Sequence, residues 1–375
     1  MPVPITSELK RKGWMRQGLV QAAAKSFWTP LTGNSKDSVV FQAKNESAGE
    51  GHTVVFDFNG NLNGKAVRGK ETAFGKGEEK RKFSDKLVVD RYRLVVDNGD
   101  AFDGVEIGDL EISQHSQSRA MLGDLFVRFK DQALFDAAQG LLKTQAGTAM
   151  APTHIIDLGS TFDFNSLITV ETAIKTGVGF TTGASRRPLD PYMTSDGRPM
   201  WLLIVDPAMA AKLKQSTGFQ TISKDADIRG NDNRLISGVI GRLGNLVIRE
   251  ADAFYGYTDA TGTTWGMNDT GIEIAGLRQK DAAGKWTGQA GFSTAGNVYS
   301  RGLILGAGAM QLGYGKMPDY KYQESQDFGI KSESALEVWM EVKKTSLNLE
   351  QGENYKQAKI SNLDYGVIAL DLQVK

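Results

Sequence analysis

The sequence predicts an α+β fold, and three observations predict it. Two runs of alternating apolar residues, "HTVVFDF" at 52–58 and "KLVVDRYRLVV" at 86–96, read as strands flanking a long polar excursion. Between Gln114 and Leu142 apolar residues recur at spacings of three and four, the signature of one unusually long helix. From Trp201 onward the chain becomes rich in glycine and in short strand-like runs, with no fixed-period repeat of the solenoid or propeller kind.

Residues 1–50 carry few apolar positions and end in "AKNESAGEG", so they read as an extended arm with a short amphipathic helix over 14–25, or as a disordered tail. In the first strand Val54, Phe56 and Phe58 share one face. The excursion that follows, "NGNLNGKAVRGKETAFGKGEEKRKFSD", far exceeds an ordinary hairpin turn and mixes glycine with both signs of charge. Without a hydrophobic pattern such a loop cannot hold itself rigid; it is either loose or braced by a partner.

Leu122, Leu125 or Phe126, Phe129, Ala133, Ala137 and Leu141 form the apolar stripe of the long helix, with Ser113 as N-cap and Gly140 weakening the last turn. A second helix is predicted over Phe164–Lys175, followed by a Gly/Pro-rich boundary. "PMWLLIVDP" reads as a buried strand whose Asp206 and Pro207 cap and open a helix through Gln215. "LISGVIGRLGNLVIREADAF" predicts a strand and turn pairing, and 335–344 and 365–372 predict two closing strands.

Composition excludes several function classes. The 44 basic and 44 acidic residues cancel, which leaves no field of the kind that grips a duplex specifically. Cysteine is absent, so there is no disulfide framework, thiol nucleophile or sulfur-based zinc site. His52, His115 and His154 are too far apart in sequence for a metalloprotease pair. The stretch from Trp14 to Trp28 is broken by Arg16, Gln17 and Lys25, unlike a leader, and "WLLIV" falls well short of the roughly 20 apolar residues of a membrane span. A soluble, intracellular chain with no membrane partner is expected.

Three chemical lookalikes fail on inspection. Gly64, Gly69 and Lys70 match a phosphate loop, but Glu71 stands where a hydroxyl must hold magnesium. Asp57, Asn59 and Asn61 begin like a calcium loop, yet Leu62 replaces the turn glycine and Arg68 the bidentate glutamate. Gly177, Gly179 and Gly183 have the wrong last spacing for a dinucleotide turn and follow a helix instead of a strand. No nucleophile elbow occurs, and Glu78 and Glu79 lie in a charged loop with no apolar setting to raise a pKa. Their interleaving with Lys76, Lys80, Arg81 and Lys82 suits salt bridges to another subunit. No catalytic, cofactor-binding or metal-ligating residues are expected.

Taken in order, "LNGKAVRG", "GEEKRKFSDKLVVDRYR", "LFDAAQGL", "LLIVDPAMAAKLK", "LISGVIGRLGNLVIREAD", "LILGAGAM", "ESQDFGIKSES", "VKKTSLN" and "LDYGVIALD" resemble the major capsid family typified by the N-four group of short-tailed phages. That family is a branch of the Hong Kong 97 type fold. The resemblance spans about residues 52–374 and departs from the pattern at "DNGDAFDGVEIGD", 97–109. It implies an N-terminal arm (1–51), an extended β-hairpin loop (52–97) and a peripheral domain (98–197) with a spine helix at 113–142. An axial domain (198–312) and a return to the peripheral domain (313–375) complete the implied layout.

The function implied is a non-enzymatic major capsid protein, assembling into pentamers and hexamers of an icosahedral head shell around double-stranded DNA touched nonspecifically. Lys65, Arg68, Lys70, Glu78, Glu79, Arg81 and Lys82 are its expected inter-subunit contacts. Some members of the wider fold join loop lysines covalently to neighbouring subunits; Lys65, Lys70 and Lys76 are the lysines that would take that role, but no such link is expected, since a charged loop needs no such chemistry. Only about fifty residues precede the loop, so a separate scaffolding protein is expected, with a portal protein and room for a decoration protein. The implied location is the virion, after assembly in the host cytoplasm. The rival readings are an encapsulin-type nanocompartment shell and a β-rich binding module or hydrolase with a disordered loop.

Overall fold

The computed structural model describes residues 26–35, 37–44, 53–59, 65–77, 82–100, 110–140, 150, 152–183, 186, 188–193, 197–220, 239–251, 297–326, 331–349 and 360–373, and the pairs 257–258, 264–265, 279–280, 286–287 and 293–294. The helix expected at 14–25 and the 97–109 departure beyond Asp100 lie outside the described residues. Side chains of 57–59, 82–84 and 110–117 are likewise outside the description.

The main elements are β1 (Val40–Lys44), β2 (Thr53–Asn59), β3 (Lys82–Val88), β4 (Asp90–Asp100), α1 (Leu110–Gln139), β5 (Ile155–Asp157) and α2 (Phe164–Thr176). After them come β6 (Pro199–Val205), α3 (Pro207–Gln215), β7 (Val239–Leu243), β8 (Leu246–Glu250) and β9 (Asn297–Leu305). The chain closes with β10 (Met310–Gln326), β11 (Lys331–Lys344), β12 (Ser346–Leu349), β13 (Ile360–Asp364) and β14 (Val367–Gln373).

Two sheets organise them. The five-stranded sheet runs Thr32–Gly33, β1, β10, β11, β4, with β1 parallel to both Thr32–Gly33 and β10 and the β10–β11 and β11–β4 pairs antiparallel. In the eight-stranded sheet the path is β5, β14, β9, β6, β8, β7, and Tyr192–Met193 and Ser293–Thr294 pair beside it. The pairing crosses residue 313, because β14 lies against β9, with Leu303 opposite Ala369.

Local chemistry fixes the helix ends. Asp163 accepts from the Ser166 amide at 2.8 Å in a capping box, and this hydrogen bond holds the Asp163 carboxyl below its ordinary range. Gly177 then closes α2 with φ 71° in the left-handed region, so the glycines resembling a dinucleotide turn begin with a helix cap. Asp206 accepts from the Met209 amide at 2.8 Å, and Pro207 opens α3 as expected.

The long helix spans 30 residues, about 45 Å, and begins at Leu110, which puts Ser113 inside it and not at its cap. It ends as Gly140 turns left-handed with φ 77°. Leu122, Phe126, Phe129, Ala133 and Ala137 are buried as the periodicity predicts. Burial over 131–140 is nevertheless continuous, because this half of α1 packs against both sheets at once. One core joins it to Leu336, Val338 and Met340 of β11 and to Leu202, Ile204 and Leu303 of the eight-stranded sheet. On the opposite face of that sheet, Leu203, Val205, Ile304 and Ile368 pack with α2 and α3.

Residues 26–44, read from sequence as part of an arm, are built into this core. Trp28, Val39 and Val40 are buried, and the Trp28 ring packs tilted against Phe135 with centroids 4.8 Å apart. Asp131 of α1 accepts from the Ser26 hydroxyl and the Phe27 amide, both at 2.6 Å. From β8 the Arg249 guanidinium lies 3.9 Å over the Phe27 ring. The apolar residues of this segment are too few and irregular to show a period, yet each fills a distinct gap.

A buried ion pair joins the sheets. Lys344, ending β11, lies 2.7 Å from Asp364, which ends β13 and leads into β14; both are essentially inaccessible to water. The other Asp364 oxygen accepts from the Thr153 amide at 2.7 Å, just before β5. Burial pulls the Lys344 pKa down, and Asp364 opposes that pull. Replacing Lys344 alone by Met should cost about 3–5 kcal/mol, because Asp364 is left buried and uncompensated. The Lys344→Met, Asp364→Leu double variant should recover most of that loss, read as denaturant midpoints of the purified subunit.

Candidate functional site

The expected site is the excursion between β2 and β3, and its base is the best-defined part. β2 and β3 pair in register from Thr53 with Val88 to Asn59 with Lys82, so the chain leaves the body as a two-stranded ribbon. A two-stranded ribbon is barely stable alone in water. This one is tied down by Val54, Phe56, Leu87 and Val89, which form a small core of their own with Phe41, Ala43 and Trp339. Gly313 of β10 makes room for it: a Cβ there would stand 2.7 Å from Leu87.

The single strand expected at 86–96 is two strands. Strand β3 pairs with β2, whereas β4 pairs with β11, and the break falls at Val89. The alternation shifts phase by one residue at the break: Leu87 and Val89 serve the ribbon, and Tyr92, Leu94 and Val96 the main core.

Asp85 anchors the ribbon electrostatically. Although it is 1 % exposed, it accepts from Gln311 Nε2 at 3.1 Å, from the Ser346 amide at 3.0 Å and from the Ser346 hydroxyl at 3.3 Å, and it pairs with Lys343. Three strands other than its own thus converge on one carboxylate. Sequence reasoning missed it, since "KFSDK" reads as an ordinary solvated run.

Beyond the base, residues 65–77 stand exposed, with only Val67 partly covered. Lys65, Arg68 and Lys70 are exposed. Glu78, Glu79 and Arg81 lie outside the described residues; Lys82 opens β3 opposite Asn59. Lys76 pairs with Glu71 at 2.7 Å. No helix follows Gly69 within 65–77, so the phosphate-loop lookalike lacks its essential partner. Phe74, passed over in the sequence reading, is 95 % exposed and is the sole aromatic between residues 60 and 81.

Two carboxylates in the sheet beneath the ribbon have opposite settings. Burial would raise Glu337, but Lys321, the Trp339 indole at 2.9 Å and Arg91 at 2.8 Å outweigh it and hold the pKa down to about 2. For Glu341 burial wins. It lifts the pKa to about 7, assisted by nearby Asp90 and only partly offset by the Val342 amide and the Tyr92 hydroxyl, each at 3.2 Å. Among the described residues no group of three His, Cys, Asp or Glu side chains is placed to hold a metal ion, and no helix is long and apolar enough to cross a membrane.

Comparison with known proteins adds the following. A family model described as phage capsid protein matches residues 3–184 and 189–375. Among curated proteins, no sequence matches the chain. The fold is similar to that in the acid-stable capsid of Helicobacter pylori bacteriophage KHP30, with 17 % identity, TM-score 0.67, and 94 % of this chain and 92 % of that one covered. It is similar to the head of Helicobacter pylori bacteriophage KHP40 with 16 % identity, TM-score 0.68 and the same coverage. A third similarity is to the capsid of Ralstonia phage GP4, at 18 % identity and TM-score 0.64, covering 94 % of this chain and 92 % of that one.

Glu341 gives a pH prediction. The folded chain keeps a proton near pH 7 that the unfolded chain releases near its ordinary 4.5, so stability falls as pH rises between these values and stays lower above them. The loss is on the order of 3 kcal/mol. Glu341→Gln should flatten that slope and unfold at higher denaturant than the parent above pH 7, measured on the purified subunit across pH 4.5 to 8.

Proposed function

Because this chain belongs to the phage capsid protein family, we propose that it is the major capsid subunit of a tailed phage, assembling into pentamers and hexamers of an icosahedral head shell. The observation that carries this reading is the anchored ribbon with an uncovered tip. Its base is fixed by a buried core and by Asp85, while Lys65, Arg68, Lys70 and Phe74 are exposed among the described residues. A rigid base with an exposed tip is wasteful in a monomer and useful in a lattice, where each copy braces its neighbour. Modest contacts repeated around closed symmetry become cooperative.

On this reading the five-stranded sheet with the first half of α1 forms the peripheral body. The eight-stranded sheet with α2 and α3 forms the axial part, and it takes β14 with it because β14 pairs with β9. The shell encloses double-stranded DNA through nonspecific contact, in keeping with a net charge of +0. A separate scaffolding protein, a portal protein and a decoration protein are its proposed partners; assembly takes place in the host cytoplasm and the product is the virion. The chain works without catalysis. An encapsulin-type shell and a β-rich binding module are not favoured, since the family match runs along the chain to phage capsid protein.

Reversing Glu78→Lys, Glu79→Lys, Arg81→Glu and Lys82→Glu together should abolish shells seen by electron microscopy. The subunit should keep its circular dichroism and its melting temperature within a few degrees. Normal shells from this variant would remove the loop from the assembly contacts.

A further inference from the structure

We propose that Lys344 and Asp364 react with each other in the folded chain, joining Nζ to Cγ as a side-chain amide and releasing one water. The site lies in the body and within one chain, so it stands apart from the exposed loop and from the shell-subunit reading.

The backbone brings the two groups together. Asp364 ends β13 opposite Ser346 of β12, two residues beyond Lys344, so the pair lies at the open end of the β12–β13 hairpin. The Thr345 carbonyl accepts from the Tyr365 amide at 3.0 Å, and the Thr345 amide donates to the Ala309 carbonyl at 3.0 Å, which fixes the residue after each partner. Nζ stands 2.7 Å from Oδ1, and neither side chain is more than 1 % exposed. Holding an amine and a carboxyl in contact removes the entropic barrier to their reaction. Among the described residues Oδ1 is left to Lys344, whereas Oδ2 accepts from the Thr153 amide at 2.7 Å. The contact of Lys343 with Asp85 lacks this arrangement: Gln311 and Ser346 donors occupy both Asp85 oxygens, and Lys343 also donates to the Lys86 carbonyl at 3.2 Å.

Burial supplies the driving force. An ammonium and a carboxylate kept from water carry a desolvation cost that a neutral amide does not. The same desolvation draws the Lys344 pKa down, against the pull of Asp364, toward the free amine that attacks. The ion pair is the state into which the chain folds, and the amide follows it. Nζ passes one proton to Oδ1 and adds to Cγ, so negative charge builds on Oδ2, where the Thr153 amide receives it. A second proton moves from Nζ to Oδ1, the Cγ–Oδ1 bond breaks and water leaves. The third ammonium proton stays on the amide nitrogen. No oxidant, reductant or further reactant enters.

Intact-mass spectrometry of the purified chain, held folded at neutral pH, should show most of it becoming lighter than its sequence by one water. Proteolysis should then release a branched peptide joining the Lys344 segment to the Asp364 segment. Lys344→Arg keeps the positive charge but loses the amine nucleophile, and it should keep the full mass. Where that variant does not fold, the branched peptide of the unsubstituted chain decides alone. A chain that holds its full sequence mass through prolonged incubation would overturn the proposal. So would a loss of water that persists in Lys344→Arg and yields no branched peptide. Either result leaves the shell-subunit reading intact.

Discussion

One buried carboxylate decides whether the ribbon is part of the body or an appendage. Asp85 lies on β3 and collects donors from β10, from the end of β11 and from the start of β12, all away from water. Removing a carboxylate from water is costly, and the cost is offset only where several donors converge with good geometry. Those donors come from three segments far away in sequence, so the base forms as one unit. The apolar half of the same joint, Leu87 seated over Gly313, depends on the same alignment.

The body behind it is held by a comparable device on a larger scale. Helix α1 belongs to both sheets: Phe129 meets Tyr92 of β4, and the same core takes in Leu336 and Val338 of β11 and Leu202, Ile204 and Leu303 of the eight-stranded sheet. Elsewhere the buried Lys344–Asp364 pair and the Thr153 amide link the end of β11 to the segments that precede β14 and β5. Burial removes the screening that weakens surface ion pairs, so the loss of one partner is costly there.

Much of this was legible in the sequence where a single element decides the outcome. The Asp206–Pro207 start of α3, the strand that precedes it and the apolar stripe of α1 need only local pattern. What stayed hidden depends on distant partners. Asp85 and Lys344 sit in charged runs that look solvated, and only the packing of other strands over them makes them buried. Trp28 and Val39 looked like isolated residues in a polar arm, because their neighbours are Phe135 and β10 and not each other. The run over 86–96 is apolar enough throughout to read as one strand, although its alternation shifts phase after Val89, where the partner sheet changes. Phe74 was invisible to periodicity for the opposite reason, since it stands exposed among the described residues.

The stitching of residues 26–44 also sets an order of events in time. Ser26 reaches Asp131 across 105 positions, and Val40 pairs with Met310 from the far end of the chain. Loops of that span close slowly compared with a helix or a hairpin. Ser26 and Trp28 can settle once α1 is made, whereas Val39 and Val40 have no strand partner until β10 has been made. During synthesis Val39 and Val40 remain hydrated while α1 takes shape, and the five-stranded sheet is completed from its late strands back to its earliest one.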